Sequence, residues 1–226
     1  VRDGKILAVG DRDHVRNAAG KHTRIIDLKG QTLVPGFIDS HGHFGMSAMY
    51  MAFENIASPP VGPVNNIADI QKILRDKKTT TPAGEWILGR GYDEAYLAEG
   101  RHPTRADLDK VSTEHPIALM HVSMHFITCN SKCLQLAGID ADTQAPPGGV
   151  IRRIAGSDEP NGVLEEKALY TLLPFLPLHD SEKYLKLIEK AQDYYASFGI
   201  TTVQDGASIE SDLQLFELAA QRDLLK

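Results

Sequence analysis

No stretch of these 226 residues approaches the ~18 to 20 continuous apolar residues that a membrane helix requires, and no charged-then-apolar leader opens the chain. Nor is there an excess of charge of one sign to grip a polyanion. Lysine and arginine number 24 against 30 acidic residues, mixed along the chain, for a net charge of −6, which argues against an electrostatic hold on nucleic acid or anionic lipid. A small-molecule substrate is the expected partner, with homo-oligomer formation left open. Cysteine is scarce: only Cys129 and Cys133, in "TCNSKC", too few for a disulfide framework. A bridge one helical turn apart constrains little, so both are read as reduced thiols. The phosphate loop is absent, because "GRGYDE" lacks its lysine and serine or threonine, and no G-x-S-x-G nucleophile elbow occurs. Cytoplasmic residence is the default expectation; the opening lacks a partner for its first strand-like run, so an export signal further upstream stays compatible with it.

What is present is an ordinary apolar fraction, 42%, enough for a packed core. Residues 1–35 contain strand-like runs, "KILAVG", "RIIDL" and "QTLVPG", separated by turn signals at Asp3-Gly4 and Lys29-Gly30, and predict a small β-layer. "GFIDS" reads as a short strand apolar at Phe37 and Ile38, emerging from a sheet into polar residues. From about Gly45 to 179 the chain is irregular, with a helix-like "IADIQKILRDK", strand-like "EWILGRG" and "PIALMHV", and "IRRIA" between two turn clusters. That is too long for a structureless loop, and it reads as an inserted α+β subdomain. Over 180–199 the apolar positions Tyr184, Ile188, Ala191, Tyr195 and Phe198 recur at helical spacing and Gly199 ends the run. A β-branched "ITTV" and a helical segment with no glycine stop follow. Without the insertion this is β-α-β-α, the grammar of a parallel α/β sheet or barrel, in which polar residues at strand exits converge on one site.

At the first exit stand His41 and His43. Side chains at i and i+2 of a strand share a face ~6.5 to 7 Å apart, and the intervening Gly42 adds no bulk, so two imidazoles can converge on one divalent ion. Zinc accepts such ligands and needs at least one more, with an open position for chemistry. A pair of hydrogen-bonded loop histidines is the plain alternative on local grounds.

"DGKILAVG" and "IDLKGQTLVPGFIDSHGHF" resemble the opening of the amidohydrolase superfamily. "GEWILGRGYDE", "HPTRADLDKVSTEHPIALMHVSMHFITCNSKCLQLAGI", "PPGGVIRR", "NGVLEEKAL" and "ASFGITTVQDG" follow in order, as in the branch that includes N-substituted formamide deformylases. The resemblance implies a partial (β/α)8 metal-dependent hydrolase barrel. It assigns 1–35 to part of a β-sandwich domain, 36–44 to the first barrel strand with the metal motif, 45–179 to the insertion, and 180–226 to a helix, the second barrel strand and a further helix. It implies a divalent metal, most simply Zn, held first by His41 and His43. It also implies hydrolysis of a carbon–nitrogen bond of an amide or formamide-like substrate by metal-activated water, with the catalytic aspartate and remaining ligands beyond Lys226. Such a segment alone is expected to be incomplete and inactive, and the insertion to serve as a lid that sets specificity. His125, Tyr92, Asp93 and Glu166 are candidate substrate-binding residues: His125 as an oxyanion donor, Tyr92 and Asp93 as pocket lining, and Glu166 as a carboxylate common in the family. Each has a plain structural alternative, for Glu165 and Glu166 that of acidic residues in a helix's first turn. His121 is read as structural, and a zinc knuckle of Cys129, Cys133, His121 and His125 is set aside. The rival readings are an inactive amidohydrolase-like binding or regulatory protein and a cyclic amide or ester hydrolase of the same fold.

Overall fold

The computed structural model describes residues 1–177 and 180–226. The chain divides into two compact units, Val1–Gly36 and Phe37–Lys226. The expected end of the insertion falls at Leu178 and His179, outside the described residues.

In the first unit both turns form and the strands do not. Asp3 and Gly4 take positive φ (50° and 73°), as do Lys29 and Gly30 (51° and 86°). The Arg2 and Lys5 backbones exchange hydrogen bonds at 2.9 Å and Gln31 N–H donates to Leu28 at 2.9 Å. "KILAVG", "RIIDL" and "QTLVPG" nevertheless form no ladder, and the unit's one regular element is α1, Arg12–Asn17, capped by Asp11. A turn is closed by its own residues, whereas a strand needs a second row of N–H and C=O groups. None is supplied among the described residues, and every side chain of 1–36 except Ala8 is exposed.

The second unit starts with β1, Phe37–Ile38, and α2, Phe44–Tyr50, then builds a six-stranded sheet from β2, Glu54–Asn55, to β7, Pro160–Glu166. Between these lie α3, Ile67–Lys78; β3, Ile87–Tyr92; α4, Arg105–Asp109; β4, Ile117–His121; β5, Phe126–Cys129; α5, Ser131–Leu136; and β6, Gly149–Arg153. The order is β2-β3-β4-β5-β7-β6. The first three strands are parallel and the rest antiparallel. β6 and β7 form the hairpin expected around "IRRIA". Alternation along the strands separates two cores. Ile87, Ile117 and Leu119 face Ile67, Ile70 and Leu74 of α3 on one side. Leu88, Ala118, Ile127 and Leu164 meet Cys133 and Leu134 of α5 and Leu169 and Leu172 on the other. A sheet covered on both faces can carry such nearly continuous apolar runs.

The cysteines do not share a helix: Cys129 ends β5 and Cys133 lies in α5, both free and fully buried. Glu165 and Glu166 are likewise strand residues, because Phe126 and Val150 pair with Glu165 and Gly149 with Glu166. Their expected place in a helix's first turn is corrected by this cross-strand pairing, which local sequence does not reveal.

α6, Ser181–Ser197, meets its sequence expectation: the Asp180 side chain accepts from Lys183 N–H, and Tyr184, Ile188 and Ala191 are buried. Gly199 takes φ 78° at its end. β8, Ile200–Thr202, then pairs in parallel with β1 through Phe37↔Ile200 and Ile38↔Thr202, and α7, Glu210–Gln221, follows. α2, α6 and α7 enclose a third core of Phe44, Ala48, Tyr184, Leu185, Ile188, Ala191 and Ala219. One difference concerns burial. Phe37 and Ile38 are 59% and 71% exposed, not enclosed as a buried parallel strand would be, because β1 and β8 form a sheet of two strands only.

Candidate metal centre

The exits of β1 and β8 are tied together. His43 bridges to Asp205, and Gly206 N–H donates to the Gly42 carbonyl at 2.8 Å. The Asp205 carboxylate is already occupied, accepting from Gly45 N–H at 2.6 Å through Oδ2 and from Ala207 N–H at 3.2 Å through Oδ1. Asp39 Oδ1 accepts from His41 N–H at 3.3 Å. These contacts fix the loop so that the His41 and His43 rings lie 5.6 Å apart, edge to face.

Gly42 packs tightly in this loop, whereas Gly206 has room for a side-chain carbon. A Cβ on Gly42 would sit 2.2 Å from Asp39 Oδ2, and one on Gly206 would reach 3.6 Å from the His43 ring and 3.8 Å from His41. His43 Nδ1 is buried and has no hydrogen-bond partner. A buried ring nitrogen without a partner costs free energy unless something accepts its lone pair or proton, and a divalent metal is one such acceptor. Two imidazoles are fewer ligands than a catalytic metal requires, so this pair can hold part of a site.

The floor of the pair is anchored through Tyr184, whose hydroxyl donates to the Gly45 carbonyl at 2.9 Å. Burial, reinforced by the Asp212 and Asp205 carboxylates, pushes its pKa up to about 12.

A second polar cluster sits at the exits of β3 and β4. Gly91, at φ 95°, interrupts the register between them so that Tyr92 pairs with His121. Such an irregularity re-aims the following residues, and Asp93 and Glu94 come to face His121. Asp93 Oδ1 accepts from Ala95 N–H at 2.9 Å, starting the short 3-10 helix Glu94–Tyr96. Asp93, Glu94 and His121 each offer a ligand atom within 4.8 Å of the others, the one such group of three or more among the described residues. His102 approaches from the side, with Nε2 3.5 Å from Glu94 Oε1 and Nδ1 3.1 Å from the Tyr92 hydroxyl. Burial opposes ionisation of Glu94, but its own backbone N–H and the imidazoles of His102 and His121 outweigh it, so its pKa lies below the ordinary glutamate value. Burial lowers the His102 pKa below the ordinary histidine value, with the Glu94 carboxylate opposing.

The candidate residues therefore separate. His125 and Glu166 meet, with Nδ1 3.1 Å from the carboxylate and Glu166 N–H donating to the His125 carbonyl at 2.9 Å; both are exposed. Tyr92 does not form an aromatic wall: it is fully buried, its hydroxyl within 3.0 Å of Thr128 Oγ1, and burial raises its pKa. Asp93 joins His121, read from sequence as structural, and Glu94, which that reading passed over. The signal was available, because "GYDE" and "MHV" are strand exits of the same kind as "IDSHGH". The cysteines pack among Leu88, Ile127 and Leu134, away from any histidine grouping, and no zinc knuckle exists among the described residues.

Paired parallel strands whose polar exits carry two convergent histidines define the class as α/β with a candidate divalent-metal site. Residues 24–226 match the Amidohydrolase family, and the chain belongs to it. It is 30% identical over 223 residues to the N-substituted formamide deformylase of Arthrobacter pascens, covering 97% of this chain and 40% of that protein. It is 30% identical over 181 residues to the putative amidohydrolase YtcJ of Bacillus subtilis, covering 78% of this chain and 32% of that protein. The chain thus spans about two fifths or less of these relatives' length. An uncharacterized metal-dependent hydrolase from Pyrococcus furiosus superposes with a TM-score of 0.67 at 24% identity, over 100% of this chain and 43% of that one. That likeness concerns the fold. No described helix is long and apolar enough to cross a membrane.

Proposed function

We propose that the chain is the N-terminal part of a metal-dependent amidohydrolase that cleaves a carbon–nitrogen bond of a small amide or formamide-like substrate. The observation that carries this reading is the His41–His43 pair with its partnerless buried nitrogen, at a strand exit within a chain of the Amidohydrolase family. In this reading β1 and β8 are neighbouring strands of a (β/α)8 barrel, 1–35 is part of a β-sandwich, and the six-stranded sheet belongs to an insertion after the first barrel strand. The metal, when bound, polarises the substrate carbonyl and acidifies water.

The chain's own residues position that chemistry. Asp39 and Asp205 hold the two exit loops through backbone N–H groups, and Gly42 lets the loop pack against Asp39. His125, beside Glu166, would donate to developing charge on a substrate oxygen. Zinc is the proposed metal because imidazole nitrogen is a favoured zinc ligand.

The test is the zinc content of the full-length protein that contains this chain, after equilibration with metal and removal of the excess, beside its His41→Ala/His43→Ala variant. The reading expects the variant to lose one equivalent relative to wild type. Equal metal in both overturns it.

A further inference from the structure

We propose that Asp93, Glu94 and His121 form a second divalent-cation site, of the mixed nitrogen and oxygen type that zinc, cobalt or manganese occupies, which does not use His41 or His43. The geometry points there in three ways.

The donors are gathered, and His121 and Glu94 meet as an ion pair that is off the line of a good hydrogen bond. His121 is 7% exposed, and its Nε2 lies 2.7 Å from Glu94 Oε2 and 3.9 Å from Asp93 Oδ1. Yet neither His121 Nε2 nor Glu94 Oε2 makes an aligned hydrogen bond, and both atoms are buried. In a tetrahedral site with bonds of about 2.0 to 2.2 Å, neighbouring donors stand roughly 3.3 to 3.6 Å apart. The two distances straddle that value, and all three donor atoms lie within 4.8 Å of one another.

The surroundings already orient the ligands. The Tyr92 hydroxyl contacts His102 Nδ1 at 3.1 Å, and His102 Nε2 faces Glu94 Oε1, leaving Oε2 to turn inward. On His121, Nδ1 meets both Ser123 Oγ at 2.8 Å and Ser123 N–H at 3.1 Å. Ser123 can serve either tautomer, and the group facing Nε2 decides between them. A cation selects the form in which Nδ1–H donates to Ser123 Oγ and the Nε2 lone pair points at the ion, as ligating histidines do.

The charge is suitable as well. Two carboxylates against a single imidazole leave a net negative cavity wall, which favours a divalent cation over a water molecule or a monovalent ion. At least one coordination position would face away from the protein ligands, because only three side chains reach the centre.

The experiment is a cobalt(II) titration of the folded chain, followed by visible absorption, with bound metal counted after gel filtration. Four chains are compared: wild type, His41→Ala/His43→Ala, and the latter with Glu94→Gln or with Asp93→Asn. Asp93→Asn retains the side-chain oxygen that accepts from Ala95 and removes the carboxylate charge, so it tests the charge of the site with little risk to folding. The expected result is about one equivalent in His41→Ala/His43→Ala, with affinity falling at least tenfold in each triple variant. ¹⁵N spectra of the His121 ring should move to the Nδ1–H tautomer as metal is added. No uptake by His41→Ala/His43→Ala overturns the proposal, as does uptake that neither further substitution changes. Two equivalents in wild type and one in the double variant support both sites. One and one would leave this site standing, with the His41–His43 pair unfilled without its further ligands; one and none would overturn it.

Discussion

Asn130 should be among the most costly residues to replace outside the apolar cores. It is fully buried at the start of α5, and its side chain makes four hydrogen bonds. Oδ1 accepts from Ile117 N–H and Cys133 N–H, both at 2.9 Å. Nδ2 donates to the carbonyls of Ser112 at 2.8 Å and His115 at 2.9 Å. The Ile117 bond holds the first residue of β4, the strand that delivers His121 at its other end. Asn130→Ala removes all four bonds and leaves four backbone groups unpaired without opening a route for water. At about 1 kcal/mol net for each bond the loss is about 4 kcal/mol. For a chain of this size that corresponds to a Tm lower by about 8 to 16 °C. Asn130→Asp keeps the acceptor but turns a carboxylate oxygen toward two carbonyls, so it should rescue nothing. Circular dichroism melts of the three chains decide the matter: a drop of less than about 4 °C for Asn130→Ala would mean that the four bonds are replaced by solvent and that the reasoning fails.

Tyr184→Phe deletes the bond to the Gly45 carbonyl and should cost about 1 kcal/mol. Because the folded pKa of Tyr184 is raised to about 12, above the ordinary value of about 10, its contribution is complete below pH ~10 and disappears as pH rises toward 12. The stability gap between wild type and Tyr184→Phe should therefore close over that window in alkaline melts. A gap constant to pH 12 would contradict the burial of the hydroxyl. Gly42→Ala places a Cβ 2.2 Å from Asp39 Oδ2 and should displace the His41–His43 loop. Metal affinity of the pair is expected to fall at least tenfold, measured by competition with a chromophoric chelator, and unchanged affinity would refute the close packing. Cys129 and Cys133 are fully buried, and burial raises the Cys129 thiol further; neither should react with a thiol reagent in the native chain, and both should react in guanidinium.

Legibility in the sequence followed the range of the interaction. α6 was readable because its periodicity, its Asp180 cap and its Gly199 stop all lie within twenty residues. α3, β3 and β4 were readable for the same reason, and so was the i, i+2 relation of His41 and His43. The end of α7 was missed because the left-handed position after it is taken by Asp223 at φ 56° instead of glycine, with Leu224 N–H donating to the Ala219 carbonyl at 3.0 Å. Glu165 and Glu166 were misplaced because strand membership depends on residues about 40 positions earlier in β5. The runs of 1–36 carry strand composition without a partner, and composition alone does not make a ladder.

The same argument explains why one cluster of the candidate chemistry was legible and the other was not. His41 and His43 belong to a single strand exit, so spacing alone brings them together. Asp93 and Glu94 meet His121 only because β3 and β4 run parallel and because Gly91 breaks their register by one residue. Without that break the side chains after Tyr92 would alternate differently toward and away from His121. A residue other than glycine at position 91 would carry a Cβ 3.2 Å from that of Ala57 at a φ of 95°, a backbone region that L residues rarely occupy. Gly91→Ala should consequently disturb the Asp93–Glu94–His121 cluster while leaving His41 and His43 in place. In the cobalt titration it should weaken the second site alone, and equal weakening of both sites would show that the bulge is not what assembles the cluster.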